Sequence, residues 1–289
     1  MTSSLHGVLL QLLALAFFVA MDTLIKYLTA VLPVPQIMFG RFLFHLIVVA
    51  VAIRVATGGL PWRSKAPQLQ TVRSLCLFGA NFIFSTALSY IPLADATAVS
   101  FAAPAITVAM AALFLQEKVA PLRWLGVAVG FAGVLVALRP PILTGESAPH
   151  WATVLPLFTA VIFSAYQILT RRLATIDNAR TTVLHTAFAA LGVTAVIAPF
   201  VWVPVPVWVW GAFLGLGLLG GTGHYLLVLA YMRAPASLLG PLHYTQLIWA
   251  SVSGALVFGQ WPSGWTLAGA LIMAAGAVLV AMPRRSAAK

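Results

Sequence analysis

Asp22 and Lys26 stand four residues apart in a long apolar run, a spacing that puts both on one face of a helix where they can pair. Arg41 follows early in the next apolar run. Charges set this deep in apolar sequence fit two roles: a structural ion cluster closing one end of a helix bundle, or a gate that breaks when a cavity opens. Glu117, beside Lys118, ends another apolar run and reads as an interfacial or inner-gate salt-bridge partner, not a ligand. Asp95 opens a run, where a carboxylate favours the positive end of a helix. No carboxylate lies near the middle of any run, which leaves His224 and His243 as titratable groups there. No Ser/His/Asp triad, metal-ligand spacing or phosphate loop stands out. Cys76 is the single cysteine, so no internal disulfide or multi-cysteine metal site is open to the chain. These features argue against an enzyme, and no cofactor is expected.

The elements that must position these residues follow from composition. The 289 residues are 62% hydrophobic and 7% charged. A water-soluble domain cannot hide so much apolar surface, so lipid must cover the surplus. A spanning helix takes about 20 mostly apolar residues. Ten such segments are predicted: Gly7–Tyr27, Gln36–Ile53, Ser74–Ile91, Asp95–Leu115, Leu122–Leu138, Trp151–Thr170, Thr181–Pro199, Val207–Tyr231, Ala236–Phe258 and Gly264–Met282. Pro and Gly clusters mark most of their boundaries. The first run has no positively charged region before it and continues through Asp22 and Lys26, so it reads as a retained helix and not a signal peptide. The net charge of +11 is spread singly and in pairs between apolar runs, which argues against nucleic acid as a partner.

The chain also repeats itself. Leu88-Ser89-Tyr90, Trp124, Gly126 and Gly133 return as Leu229-Ala230-Tyr231, Trp265, Gly269 and Gly276. The segment holding Phe18, Ala20, Leu24 and Lys26 returns as Phe163, Ala165, Leu169 and Arg171. A fixed offset near half the length marks an internal duplication, with halves expected at 1–140 and 141–289. With both termini cytoplasmic, thirteen of the sixteen basic residues fall on the inner side. Five helices per half is odd, so the second half enters the membrane from the other side. The expected fold class is an all-α integral membrane protein of ten transmembrane helices, a five-plus-five inverted repeat of the kind found in secondary transporters. Gly211, Gly215, Gly217 and Gly221 are spaced for close helix packing.

These residues resemble the drug/metabolite transporter superfamily, in its ten-helix, EamA-like form. The resemblance rests on Lys26, Arg41, the Tyr90-x-Pro92-x-Ala94 turn, Pro104, Glu117, Trp124, Gly126 and Gly133, and it covers essentially the whole chain. The second half departs from the pattern, with Gln260 in place of an acid and a proline displaced to Pro241. The resemblance implies transport of metabolites or amino acids, often export, in a bacterial inner membrane. It also implies a cavity lined by the first, third, fourth, sixth, eighth and ninth helices. Substrate-binding candidates on them are Phe17, Met21, Asn81, Ser85, Ser100, Phe101, Tyr166, His224, Tyr225, His243, Tyr244 and Gln246. Such a cavity, aromatic and amide-lined without fixed charge, suits neutral or zwitterionic amino acids and a facilitator. The partners expected are a small-molecule substrate and membrane lipid, with the protein a monomer. Uptake of a bulkier nucleoside-like or vitamin compound is the alternative.

Overall fold

A computed structural model describes residues 2–114, 121–138, 150–173, 176–233, 242–243 and 245–281. Among these residues regular structure is helical throughout. The α-helices are α1 (Thr2–Leu28), α2 (Val34–Thr57), α3 (Pro67–Leu88), α4 (Leu93–Ser100), α5 (Ala103–Phe114), α6 (Pro121–Leu138), α7 (Leu155–Leu173), α8 (Ala179–Ile197), α9 (Val207–Arg233), α10 (Thr245–Phe258) and α11 (Gly264–Ala281). Among the described residues five segments are long and apolar enough to cross a membrane, beginning at Leu5, Val34, Pro67, Trp151 and Arg180. Large apolar side chains stay on the outside, among them Val55, Phe200, Val207 and Leu256. In water this would be a liability; against lipid tails it costs nothing.

Local sequence sets the helix ends. Pro35 and Pro67 stand in the first turns of α2 and α3, where a missing N–H leaves no intrahelical bond unmade. Gly58 closes α2 in the left-handed region at φ 71°, its N–H bonded to the Arg54 carbonyl. Asn178 caps α8, its side chain accepting from the Thr181 N–H at 2.8 Å. The segment expected as one helix from Asp95 to Leu115 is two. Phe101 and Ala102 donate to carbonyls three residues back, tightening the turn, and Pro104 follows without an N–H.

Two packing patterns organise the bundle. In the first, α1 packs on α9, and α3 on α7. Under the sequence repeat α1 matches α7 and α3 matches α9, so the two contacts are exchanged copies of one another. In the second, α6 packs on α11 through glycine. A Cβ on Gly133 would lie 2.7 Å from the Gly269 carbonyl, and one on Gly276 would lie 2.7 Å from the Gly126 carbonyl. Gly133 and Gly276 are repeat partners, as are Gly126 and Gly269, so this crossing is exchanged in the same way. The α9 glycines divide. A Cβ on Gly217 would lie 2.6 Å from the backbone of Phe44, as close packing requires, but one on Gly211 would meet nothing within 4 Å.

Candidate functional site

The third helix starts at Pro67, seven residues before its expected start. Arg73, read from sequence as a loop charge that orients the chain, is therefore inside a helix. It is 3% exposed. Its Nε donates to the Thr170 hydroxyl at 2.8 Å, Nη1 to the Thr186 hydroxyl at 2.7 Å, and Nη2 to the Tyr166 hydroxyl at 3.0 Å. The guanidinium also lies 4.7 Å from the centre of the Tyr166 ring, a cation–π contact. Every one of these acceptors is neutral.

One helix away, Arg41 on α2 is equally buried. Its Nη1 donates to Asn81 Oδ1 at 3.0 Å, and the Asn81 amide donates in turn to the Leu77 carbonyl at 2.8 Å, which fixes the amide's orientation. The Arg41 Nε is buried without a partner among the described residues. Both arginines border one cavity, with His45, Asn81, Tyr166, Thr186 and His224 around them. The His45 and His224 rings meet edge-on at 5.9 Å, and Phe18 packs against His224 at 5.0 Å. The cavity measures about 30 Å³, far below the roughly 300–1,000 Å³ of ligand pockets.

Of the expected site residues, the structure gathers Arg41, Asn81, Tyr166 and His224 at this cavity. Met21 is buried beside it against α9, where a Cβ on Gly220 would meet both Met21 Sδ and His45 Nδ1 at 3.2 Å. Phe17 is half-buried on α1. Ser85 lies one turn beyond Asn81, its hydroxyl 3.9 Å from Met38 Sδ. Ser100 turns its hydroxyl back to the Ala96 carbonyl, and Phe101 is buried at the α4–α5 break. Tyr225 is 65% exposed on the outer face, because one residue along α9 turns a side chain about 100° away from His224. His243, just before α10, meets Gln11 of α1 at 3.2 Å and is hydrogen-bonded to Gln246 of α10, so this group forms a polar contact separate from the cavity. Tyr244 and Glu117 lie outside the described residues.

Two expectations are corrected. The cavity is not free of fixed charge, and its walls come from α2 and α8 as well as α3, α7 and α9. His45 carried a readable signal, since it stands four residues after Arg41 and so on the same helix face. Thr186 carried none. Nor do Asp22 and Lys26 form the pair their spacing suggested. Lys26 Nζ donates to the Leu88 and Ile91 carbonyls at 2.9 and 2.7 Å, where a cation meets the negative end of α3. Its carboxylate neighbour is Asp95, which accepts from the Thr266 hydroxyl; the opposite charge near Asp22 is Arg41.

Beyond Arg73, toward the start of α3, a latch of hydrogen bonds joins this segment to Asp177, before α8. Asp177 accepts from the Ser64 hydroxyl, the Lys65 N–H at 2.9 Å and Gln70 Nε2 at 2.8 Å. Gln70 Nε2 also reaches the Thr182 hydroxyl at 3.0 Å. Desolvation pushes the Asp177 carboxyl up, but these hydrogen bonds and the nearby His185 outweigh it and hold it below its ordinary 3.8. A lowered carboxyl stabilises the fold above the ordinary value and loses that contribution as pH falls through the lowered one. The latch is therefore intact at pH 7 and at pH 5. Asp177→Ala is expected to speed hydrogen exchange at the Lys65 amide at both pH values, after correction for intrinsic rates. Wild-type protection that collapsed between pH 7 and 5 would contradict this assignment.

Apolar helices, five described segments of them long and apolar enough to cross a membrane, around a polar cavity define the class as an integral membrane protein. The particular family is plain: the chain belongs to the EamA-like transporter family, whose pattern matches residues 5–139 and again 150–282. It is 26% identical over 262 residues to an S-adenosylmethionine uptake transporter of Rickettsia bellii, covering 91% of this chain and 88% of that protein. It is 25% identical to a pseudopaline exporter of Pseudomonas aeruginosa, over 96% and 97% of the two chains. A riboflavin transporter of Rhizobium johnstonii is 29% identical over 197 residues, 67% of this chain and 63% of the relative. A solved crystal structure superposes with a TM-score of 0.64 over 96% of both chains at 22% identity, a likeness of fold.

Proposed function

We propose that the protein is a secondary transporter that exports amino acids and related metabolites by alternating access, with the cavity between Arg41 and Arg73 as its transport site. One observation carries this reading: the cavity is built jointly by residues on either side of the repeat boundary. Arg41, His45, Arg73 and Asn81 precede it; Tyr166, Thr186 and His224 follow it. A carrier that rocks one half against the other needs its site at such a seam. The exchanged helix contacts support halves at 1–140 and 141–289 related by inversion, with α4 and α5 forming one broken pass among ten. The basic loops support cytoplasmic termini and put the Asp177 latch on the cytoplasmic side of a bacterial inner membrane.

At about 30 Å³ the cavity is far smaller than the roughly 300–1,000 Å³ of ligand pockets, so a metabolite needs helices to part, which favours a carrier over a channel. Counterflow in proteoliposomes tests the reading: vesicles loaded with a panel of unlabelled amino acids should accumulate labelled phenylalanine or threonine, unchanged when a pH gradient is collapsed. No exchange by folded, oriented protein would remove the amino-acid reading. A second reading, uptake of a bulkier nucleoside-like or vitamin compound, is favoured by the names of two relatives, the S-adenosylmethionine uptake transporter and the riboflavin transporter. The same vesicles loaded with those compounds separate the two.

A further inference from the structure

We infer that the cavity is a carboxylate subsite: the transported molecule carries a carboxylate that docks between the guanidinium groups of Arg41 and Arg73. This rests on the cavity being the transport site. Two buried cations at one small cavity are expensive unless something negative answers them. Within the protein the answer is incomplete. Among the described residues Arg73 bonds only to hydroxyl and carbonyl oxygens. Arg41 bonds to the neutral Asn81 and leaves its buried Nε unpartnered. Asp22 faces Arg41 through space, without a hydrogen bond to either arginine among the described contacts. Two positive charges against at most one negative leave room for an anion.

The geometry suits a carboxylate in particular. A guanidinium presents a planar fork that matches two carboxylate oxygens, and Arg41 is held in one orientation by the anchored Asn81 amide. The Tyr166 hydroxyl accepts from Arg73 while its own proton is spent on no neighbour among the described residues. That proton can turn to an incoming oxygen. The Thr186 and Thr170 hydroxyls already donate to the Thr182 and Tyr166 carbonyls, so they hold Arg73 in place and offer the ligand no proton. An uncharged cargo would leave the second cation unanswered.

The test compares acid with amide on the full chain in detergent. Dissociation constants would be measured by calorimetry for L-phenylalanine against L-phenylalaninamide, and for S-adenosylmethionine against its decarboxylated form, with riboflavin as a cargo lacking a carboxylate. The acid of a pair should bind roughly tenfold to a hundredfold more tightly than its partner, the range for a hydrogen bond to a charged group. Arg73→Gln should close that gap. Arg73→Lys and Arg41→Lys, which keep charge but lose the fork, should narrow it, and they carry the test where the glutamine variant does not fold. Equal binding of acid and amide overturns the inference, as does a gap unchanged in the lysine variants. So does riboflavin binding that none of these variants alters. Acid-selective binding without counterflow would remove the transport reading and keep the subsite; counterflow of a neutral cargo alone would do the reverse.

Discussion

Gly133→Ala is expected to destabilise the protein although it adds a single methyl group and raises helix propensity. The new Cβ would lie 2.7 Å from the Gly269 carbonyl oxygen, the Met273 nitrogen and the Met273 Cγ. Two of these atoms are backbone and cannot rotate out of the way, so α6 and α11 must part. Overpacking of this kind costs about 1–3 kcal/mol. Gly269→Ala should do the same, since its Cβ would meet the Gly133 carbonyl at 2.6 Å. The double variant should cost less than the sum, because the first substitution has already opened the contact the second needs. Gly211→Ala is the control. It meets nothing within 4 Å, so it should stabilise by up to about 1 kcal/mol through propensity alone. Thermal unfolding in detergent reads all four. Equal behaviour of Gly133→Ala and Gly211→Ala would show that the crossing is not tight.

The glycines of that crossing stood out in the sequence as a repeat, in order and at a fixed offset, but nothing there said that the two copies meet. The helices were legible for the same reason their outsides are greasy: lipid selects composition over every residue of a span. The site was harder. Arg73 was misplaced because loop charge and buried charge look alike without a helix boundary, and the boundary turned on Pro67, seven residues outside the expected span. Tyr225 was taken with His224 as a pair, yet neighbours on a helix face different ways. The partners of Asp22 and Lys26 went wrong because i, i+4 spacing gives only the nearest option on one helix. It says nothing of the carbonyls at the end of α3, or of an arginine on α2. Tertiary neighbours decided each case, and a lone sequence does not display them.

Those exchanged partners give the second large effect. Arg41→Met should destabilise the protein by on the order of 3 kcal/mol, because it leaves the Asp22 carboxylate in the bundle without its opposite charge. Asp22→Asn added to Arg41→Met should restore most of that stability, since the double variant removes both charges and leaves no uncompensated one. Lys26→Met should behave differently. It removes the donor to the Leu88 and Ile91 carbonyls at the end of α3, and Asp22→Asn should restore none of that loss. Transport should not follow stability. The Asp22→Asn/Arg41→Met protein is expected to be folded yet poor in counterflow, because Arg41 is half of the proposed subsite. The decisive result is which single variant Asp22→Asn rescues. Recovery of Lys26→Met, with Arg41→Met left unstable, would return the ion pair to α1 and sever Asp22 from the cavity. Recovery of Arg41→Met alone ties the charge balance of the cavity to α1, the helix that packs against α9 and its His224. A substrate anion that arrives between the arginines would then compete with Asp22 for Arg41.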